Sequence, residues 1–416
     1  MQLLSVMGNL FGDSANLNSM KKILTLSLIC YALISKADYW TQKASFPGGG
    51  LEYPFSFSIG NKGYVGCGKD SMSIYHKDFW EYNPLTNAWT QKANFGGVKR
   101  YGATGFSIGN KGYAGLGDAN SGFTQDFWEY DPSLNLWTQK ANFGGGIRGF
   151  AVGFAIGNTG YIGTGQDNSL TLFNDLWKYD PATNAWIQKT NLPAQPREDA
   201  NCFAIGNNGY IVGGYASAFL NELWEYNSIS DTWTQKTSFP SNARCDAAAF
   251  TICEKGYFGM GESLGIYLND FWQYNPLNNT WIQKTNFSGL IRDEPGYFSI
   301  GNKGYIGLGA KGSIFFYNDF WEYTPDSACA TGIEESTNDN LEFTISPNPV
   351  KDFIVISYPL IEKEKINLTI TDVNGKGVFQ TQLSQSTISL KGFSKGIYFV
   401  EVRIGKQKTV KKIIKE

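Results

Sequence analysis

The sequence predicts an all-β protein made of one repeated unit, followed by a smaller β domain. Two series of tryptophans carry this prediction, and together they account for all twelve tryptophans of the 416-residue chain. The first heads a Trp-(Thr/Ile)-Gln-Lys motif, at Trp40, Trp89, Trp137, Trp186, Trp233 and Trp281. The second lies in an acidic-(Phe/Leu)-Trp-x-Tyr motif, at Trp80, Trp128, Trp177, Trp224, Trp272 and Trp321. Steps of 47 to 49 residues within each series are typical of a propeller or a solenoid.

The offset between the two series predicts a closed ring. Trp40 has no second-series motif before it, and Trp321 has no first-series motif after it. If residues 39–43 pair beside the strand around Trp321, the last sheet gains its missing strand and the ring has no exposed edge. An open solenoid with capping repeats is the structural alternative.

One repeat is predicted to form four strands. In the copy from 100 to 140, residues 101–108 and 113–117 form a hairpin around a turn that is rich in glycine and asparagine. A variable loop then precedes the third strand, 126–130, in which period-two alternation places Trp128 and Tyr130 on one face. The fourth strand is 137–140.

The second predicted strand adds a recognisable glycine pattern. Five copies read Gly-Tyr-x-Gly-x-Gly, at Tyr64, Tyr113, Tyr161, Tyr257 and Tyr305, and the copy at Tyr210 carries a double glycine. With the two tryptophan motifs, this pattern resembles the kelch repeat over residues 38–325. The resemblance implies a six-bladed kelch-type β-propeller with four antiparallel strands per blade, closed by the N-terminal strand.

The C-terminal part has a different pattern. A polar linker, 326–340, leads to residues 341–416, where short alternating segments carry Ser-Pro-Asn-Pro near 347, Asp-Val-Asn-Gly-Lys near 374 and a lysine-rich end. These motifs resemble the type A sorting domain of the bacterial type IX secretion system. The resemblance implies a small β-sandwich that the secretion machinery recognises; an ordinary immunoglobulin-like module is the alternative.

The N-terminal residues 1–37 are predicted to be an upstream extension and a signal peptide. Two lysines precede the apolar run 23–34, and Ser-Lys-Ala at 35–37 ends with a small residue suited to cleavage. A lipoprotein site at Cys30 is a weaker alternative because Ile29 precedes it. With the sorting domain, this predicts a route through the periplasm to the medium or the outer cell surface, with no transmembrane segment in the mature chain.

Composition excludes some classes of partner and chemistry. A net charge of −2 gives no reason to expect nucleic acid as a partner. Cleavage would leave five cysteines, an odd number, and we expect them to be small buried side chains rather than a recurring bridge. No cofactor and no metal site is predicted.

Five copies carry an arginine eight residues before the last isoleucine of the first strand, where the first copy has Leu51. The predicted ligand-binding arginines are Arg100, Arg148, Arg197, Arg244 and Arg292. A ring of arginines suits a carboxylate or phosphate ligand. Because the position repeats, ion pairs between blades are the structural alternative.

Aromatic residues in the loops between the second and third strands are the other predicted ligand contacts. They are Tyr75, Phe123, Phe173, Phe219, Tyr267 and Phe316. Around a concave mouth such residues suit stacking on sugar rings or anchoring of a protein partner. The alternative is packing against the neighbouring blade.

No catalytic residue is assigned. His76 is the one histidine, which excludes histidine-based triads, multi-histidine zinc sites and the two-histidine copper site of galactose oxidase, a relative by its kelch blades. We therefore expect a binding protein whose loop-bearing face takes a glycan or a protein partner. The alternative is a carbohydrate-active enzyme of the sialic acid mutarotase kind, which could recruit Glu198, Asp199, Glu294, Arg197 and Arg292.

Overall fold

The computed structural model describes residues 37–312, 314–326, 344–346, 350–357, 366–372, 377–382, 387–404 and 407–416. The predicted signal peptide and most of the predicted linker lie outside the described residues. The chain divides into two compact units, within residues 1–328 and 329–416. Among the described residues, no helix is long and apolar enough to cross a bilayer.

The first unit consists of six four-stranded antiparallel sheets, which we number as blades in chain order. Blades 1 and 2 contain β2 (Phe55–Ile59), β3 (Lys62–Gly66), β4 (Phe79–Asn83) and β5 (Ala88–Gln91), then β6 (Thr104–Ile108), β7 (Lys111–Gly115), β8 (Phe127–Asp131) and β9 (Leu136–Gln139). Blades 3 and 4 contain β10 (Val152–Ile156), β11 (Thr159–Gly163), β12 (Leu176–Asp180) and β13 (Ala185–Lys189), then β14 (Asn201–Ile205), β15 (Asn208–Val212), β16 (Leu223–Asn227) and β17 (Thr232–Lys236).

Blades 5 and 6 add short hairpins in the loops between their second and third strands, which we call the mouth loops. Blade 5 contains β18 (Ala248–Ile252), β19 (Lys255–Gly259), β22 (Phe271–Asn275) and β23 (Thr280–Lys284), with the hairpin β20 (Glu262–Ser263) and β21 (Ile266–Tyr267). Blade 6 contains β24 (Gly296–Ile300), β25 (Lys303–Gly307), β28 (Phe320–Thr324) and β1 (Tyr39–Lys43), with the hairpin β26 (Ala310–Lys311) and β27 (Phe315–Phe316).

The ring is closed by the N-terminal strand, as the tryptophan offset predicts. β1 pairs with β28 in a register that joins Trp40 to Tyr323 and Lys43 to Phe320. The inner strands also contact one another in a closed circle, from β2 through β6, β10, β14, β18 and β24 back to β2. The closure removes the edge that a three-stranded last blade would expose.

The first tryptophan series ties each blade to the preceding one. Each indole Nε1 donates to a carbonyl in the preceding blade's outer loop, as Trp89 does to Ala44 at 2.9 Å and Trp40 does to Thr285 at 3.1 Å. In blade 6, Asp38 accepts a bond from the Tyr323 hydroxyl at 2.8 Å, where the other blades use an asparagine or aspartate two residues before the tryptophan, such as Asn87. The N-terminal segment thus makes in blade 6 the same contacts that the fourth strand and its preceding turn make in the other blades.

The inner strands place large side chains between blades and small ones on the central channel. In β2 the alternate residues Phe55, Phe57 and Ile59 are buried, whereas Ser56 and Ser58 keep some exposure. The same alternation leaves mainly serine, glycine, alanine, cysteine and threonine on the channel wall. Tyr297 in β24 is the exception, a large side chain on the channel side of its strand.

The second unit is a β-sandwich, as expected. One sheet contains β29 (Thr344–Ser346), β30 (Phe353–Ser357) and β33 (Thr387–Ser389), and the other contains β31 (Ile366–Asp372), β32 (Gly377–Gln382), β34 (Gly396–Ile404) and β35 (Gln407–Lys415). Both sheets contribute to one apolar core, for example Ile354 from the first and Leu368, Val400 and Ile413 from the second.

Two details differ from the sequence-based expectations. The predicted strand 101–108 begins only at Thr104, because the preceding residues turn sharply into the mouth of the channel. Cys67, Cys202 and Cys245 are free thiols, but Cys253 is disulfide-bonded. The expectation of small unbridged cysteines therefore fails at one position.

Candidate site at the mouth of the propeller

The five predicted ligand-binding arginines form a buried outer ring. Each lies in the loop that enters a blade, has no exposed surface and binds the acid that precedes the third strand of that blade. The pairs are Arg100 with Asp126, Arg148 with Asp175, Arg197 with Glu222, Arg244 with Asp270 and Arg292 with Asp319, at 2.6 to 2.7 Å. Their guanidinium groups are therefore committed to these carboxylates.

The second tryptophan series orients the acids of this outer ring. Trp128 Nε1 donates to Asp126 at 2.8 Å, and the corresponding tryptophan makes the same bond in each of the other blades. Burial by itself would raise the pKa of Asp126 and Asp270, but the hydrogen bonds from their arginines hold both pKa values below the usual range. These acids are ionised partners in structural ion pairs.

The proposed ligand-binding role of the arginines is thus corrected, because each guanidinium has no exposed surface to offer a ligand and is bound to an acid of its own blade. Blade 1 lacks the arginine. Leu51 is buried at that position, and Oδ1 of Asp78, the acid left without its arginine, is buried with no hydrogen-bond partner. His76 Nδ1 lies 3.7 Å from that oxygen.

Two residues beyond each arginine, or beyond Leu51, the chain forms an inner ring around the channel mouth. Its members are Tyr53, Gly102, Phe150, Asp199, Asp246 and Glu294, and their φ values lie between 50° and 60°. The amide N–H of each donates to the carbonyl of the preceding member, at 2.9 to 3.2 Å, and Tyr53 donates to Glu294 to complete the circle. Six backbone hydrogen bonds thus form a closed ring.

The inner ring holds five non-glycine residues in a strained conformation. The left-handed region costs about 1 kcal/mol or more for a residue with a Cβ, so the closed hydrogen-bond ring must over-determine it. The residue before each member contributes, because it forms a β-bridge to the mouth loop of its own blade, as Glu198 does with Tyr215. Strain of this kind is concentrated at functional sites. The six side chains of the inner ring are therefore candidates for a functional role.

Those side chains are unequal: one half of the inner ring is acidic. Asp199, Asp246 and Glu294 come from blades 4, 5 and 6 and line a cavity of about 100 Å³. Within the described part of the chain no salt bridge joins them to a basic residue, since Arg197, Arg244 and Arg292 bind other acids. Asp246 Oδ1 and Glu294 Oε2 are buried with no hydrogen-bond partner.

The environment of these carboxyls raises their pKa values. Burial is the main cause for all three acids. For Asp199 and Glu294, burial together with repulsion from Asp246 raises the pKa well above the usual range. Burial raises the pKa of Asp246 to about 6, although hydrogen bonds from Cys245 and Tyr53 partly oppose it. Asp246 therefore changes charge slightly below neutral pH, and Asp199 and Glu294 keep their protons well above the usual carboxyl range.

Two further acids lie behind the inner ring. Burial and the neighbouring Asp246 raise the pKa of Glu198 to about 7 and that of Asp293 to about 8. Asp293 is almost completely buried, and one oxygen of each acid has no hydrogen-bond partner. No cluster of histidine, cysteine or acidic side chains among the described residues has the geometry of a metal site.

The opposite half of the mouth is aromatic. Tyr53 and Phe150 of the inner ring pack edge to face, with ring centroids 5.0 Å apart, and Tyr101 contacts both. Two predicted ligand contacts extend this side: Tyr75 packs on Tyr101 at 4.9 Å, and Phe123 packs on Phe150 at 5.7 Å. The aromatic side thus comes from blades 1 to 3 and the acidic side from blades 4 to 6.

The remaining predicted aromatic contacts pack within their own blade or approach the next one. The Phe173 ring lies 4.1 Å from the Arg148 guanidinium, and Phe219 packs on Tyr215. Tyr267 approaches Gly312 of blade 6, and Phe316 approaches Gly50 of the loop into blade 1. All six predicted aromatics are half-buried. Of the six, Phe123 packs directly on an inner-ring side chain, and Tyr75 is linked to the inner ring through Tyr101.

Tyr297 lies where the mouth meets the rest of the channel. It lines both the ring cavity and a second cavity of about 320 Å³ among the inner strands. Asn201 fixes its hydroxyl with a hydrogen bond of 3.1 Å from Nδ2. Tyr297 is therefore the one large side chain of the channel wall that borders both cavities.

The inner ring was not assigned from the sequence, although Asp199 and Glu294 were named for the alternative enzyme. One signal was present: the residues two positions after the arginines differ among the copies, whereas the arginines repeat. Tyr297 was likewise missed, and its signal is a lone large residue at a position that holds a small one in the other five blades.

Comparisons with known proteins bear on the fold and the family. The comparison with curated proteins found no match. The solved structure titled "Structure of YjhT" is similar, with a TM-score of 0.59 and 15% identity over 67% of this chain and 95% of that one. At this identity the likeness shows the fold alone.

Family models match both parts of the chain. The model of the secretion system C-terminal sorting domain matches residues 344–416, which supports export to a secreted or outer-cell-surface location and a contact with the type IX machinery. The model of the KLHDC2/KLHL20/DRC7 kelch-repeats domain matches residues 47–214 and 146–294, together more than half of the chain. The chain belongs to the kelch-repeat family and carries a type IX sorting domain at its C-terminus.

Proposed function

We propose that this exported protein binds a glycan at the mouth of its propeller, residues 38–325, and that residues 341–416 direct its passage from the periplasm. The observation that carries the glycan proposal is the two-sided mouth, with an aromatic side facing three half-buried carboxyls across the inner ring. The aromatic side and the acidic side are both formed by residues that differ from blade to blade. Neither is part of the contacts that repeat in every blade.

The chemistry of the two sides matches the two faces of a sugar. A pyranose ring presents C–H groups that pack on aromatic rings and hydroxyls that donate to carboxylates. Tyr53 and Tyr101 offer the first kind of surface, and Asp246 and Glu294, with their unpartnered oxygens, offer the second. A protein partner is less favoured because the inner ring lies in a narrow concave mouth.

A glycan array with the purified full-length protein tests the proposal, followed by calorimetric titration of the best ligand. We expect saturable binding that Tyr53→Ala weakens at least about tenfold, the loss expected for one stacking contact and its hydrogen bond. Leu277→Ala, at a 90% exposed side chain on an outer turn, is the matched control and should bind normally. An array without saturable ligands would reject glycan binding.

A second candidate is a carbohydrate-active enzyme of the mutarotase kind, which the raised pKa values of the acidic side favour. Exchange of sugar anomers needs one group to donate a proton and another to accept one, and carboxyls that change charge near pH 7 can do both. Asp246 and Glu198, with pKa values of about 6 and 7, are such a pair.

Anomer exchange of a bound sugar, followed by NMR, tests this candidate. We expect acceleration that Asp246→Asn abolishes while Asp180→Asn, at an acid that only caps the turn at Ala182, leaves it unchanged. Binding without acceleration would leave the protein as a lectin-like binder.

A further inference from the structure

The acidic side is a cluster of carboxyls that have no salt bridge to a basic residue of the described chain. Asp199, Asp246 and Glu294 border one cavity of about 100 Å³, and Glu198 and Asp293 lie behind them. The nearest basic groups are otherwise engaged: the arginines bind outer-ring acids, and Lys69 binds Glu52 and covers the Tyr101 ring at 4.6 Å. A buried carboxylate without a cation is costly.

The unpartnered oxygens add an independent observation. Asp246 Oδ1 and Glu294 Oε2 have no accessible surface and no hydrogen-bond donor, and both residues line the ring cavity. Buried polar atoms are normally satisfied. A ligand group that donates hydrogen bonds would satisfy both oxygens once the carboxyls are ionised.

We propose that the ring cavity takes the primary ammonium group of an amino sugar, so that the glycan bound at the mouth is one that contains a free hexosamine. The inference rests on the proposed glycan-binding function and names the group that the acidic side selects. An ammonium supplies three donors and one positive charge, which the three carboxyls of the inner ring lack.

The size and lining of the cavity suit such a group. A volume of about 100 Å³ is too small for a whole sugar ring and admits a single substituent, while the ring itself remains at the aromatic mouth. Tyr53 and Phe150 also line the cavity, and aromatic faces attract cations by about 0.5 to 2 kcal/mol. One small cavity thus combines aromatic faces that attract a cation with carboxylate oxygens that can accept its hydrogen bonds.

Proton linkage gives the inference a distinct signature. The groups that face the inner-ring carboxyls are Glu52, Glu198, Glu262, Asp293, Cys245 and Tyr53. All are acids or neutral groups, so a bound cation favours the ionised carboxylates and releases protons to the solvent. A neutral sugar releases none through this route.

Calorimetric titration of the purified protein with glucosamine, glucose and N-acetylglucosamine tests the inference without any substitution. At pH 7 we expect glucosamine to bind at least about tenfold more tightly than the other two. Its apparent enthalpy should differ between phosphate and MOPS buffers by the amount that proton release requires. The double variant Asp246→Asn, Glu294→Gln should lose this preference, and Asp180→Asn should keep it.

Each outcome decides the inference. Equal affinities for the three sugars would overturn it while leaving glycan binding intact, and a preference that survives in the double variant would overturn the assignment to the ring cavity. A lysine-containing peptide that binds more tightly than glucosamine would replace the amino sugar with a protein partner. Failure of all sugars, on the array as well, would reject the proposed function together with the inference.

Discussion

Two rings in the same loops differ in every property that matters for function. The outer ring repeats one arginine and one acid in five blades, with the guanidinium completely buried, and the pKa values of Asp126 and Asp270 are lowered. The inner ring, two residues further along, has six different environments, and the pKa values of its acids are raised. The residues that repeat in the outer ring form ion pairs. The acids that occur only in some copies of the inner ring have no basic partner among the described residues.

The difference shows how a symmetric scaffold acquires a site. A feature present in every blade stabilises every junction equally and has no direction. The inner ring keeps the backbone symmetry, with six equivalent hydrogen bonds, and varies only the side chains. In the proposed site, the scaffold would supply position, and the three carboxyls and two aromatic rings would supply the chemistry.

Removing the closing strand should have the largest effect, because it breaks the framework on which both rings depend. Deletion of residues 38–44 removes the pairing of β1 with β28 and the buried Trp40. Loss of a buried tryptophan costs about 3 to 5 kcal/mol, so we expect the melting temperature of the propeller to fall by roughly 10 °C or more. Thr41→Ala on the exposed face of β1 is the control, and an unchanged melting temperature in the deletion would refute closure.

Breaking one outer-ring pair should have the next largest effect. Arg244→Met leaves Asp270 half-buried without its cation, and we expect a loss of about 3 to 5 kcal/mol in the free energy of unfolding by urea. Lys189→Met, which breaks the more exposed pair with Asp231, should cost less than about 1 kcal/mol. Similar losses in the two variants would contradict a special role for the outer ring.

The acids of the inner ring should make the unfolding free energy depend on pH. The pKa of Asp246 is raised to about 6 from its ordinary 3.8, so its contribution to stability is present below about pH 4 and is lost as the pH rises through 6. We expect Asp246→Asn to reduce the decline in unfolding free energy between pH 4 and 8 by about 2 to 3 kcal/mol. Asp180→Asn should leave the profile unchanged, and a profile unaltered by Asp246→Asn would argue against a perturbed carboxyl.

Completing the outer ring should have the smallest effect. Leu51→Arg offers a guanidinium to Asp78, whose Oδ1 has no partner, and we expect about 1 kcal/mol of stabilisation relative to Leu51→Met. The gain should vanish when Asp78→Asn is added. A destabilised Leu51→Arg protein would mean that blade 1 has repacked around leucine.

The sequence predicted the framework because each framework contact is local or recurs. Trp128 and Asp126 are two residues apart and bonded, and the same spacing occurs six times. The closing partner of Trp40 could be inferred because one strand was missing at one end and one was unmatched at the other. Its domain limits, from 38 to 325 and from 341, stay predictions.

The site could not be predicted in the same way. Tyr53 and Glu294 are far apart in the chain, and their hydrogen bond depends on closure of all six blades. The predicted strand over 101–108 included Gly102, which lies in the inner ring with a positive φ. Nothing in the local sequence distinguishes a residue that extends the strand from one that leaves it for the channel mouth. The arginines were chosen for their charge, yet burial decided that their charge serves the fold.

By itself, the sequence determined the all-β class, the six repeats, their closure by the first strand and the sorting domain, because spacing and alternation are properties of the chain alone. Only the tertiary structure decided which charges are neutralised. A carboxyl's pKa depends on what surrounds it in three dimensions, and the same residue type is ionised beside Arg100 at Asp126 and favours its proton at Asp199, where the ring brings other acids instead.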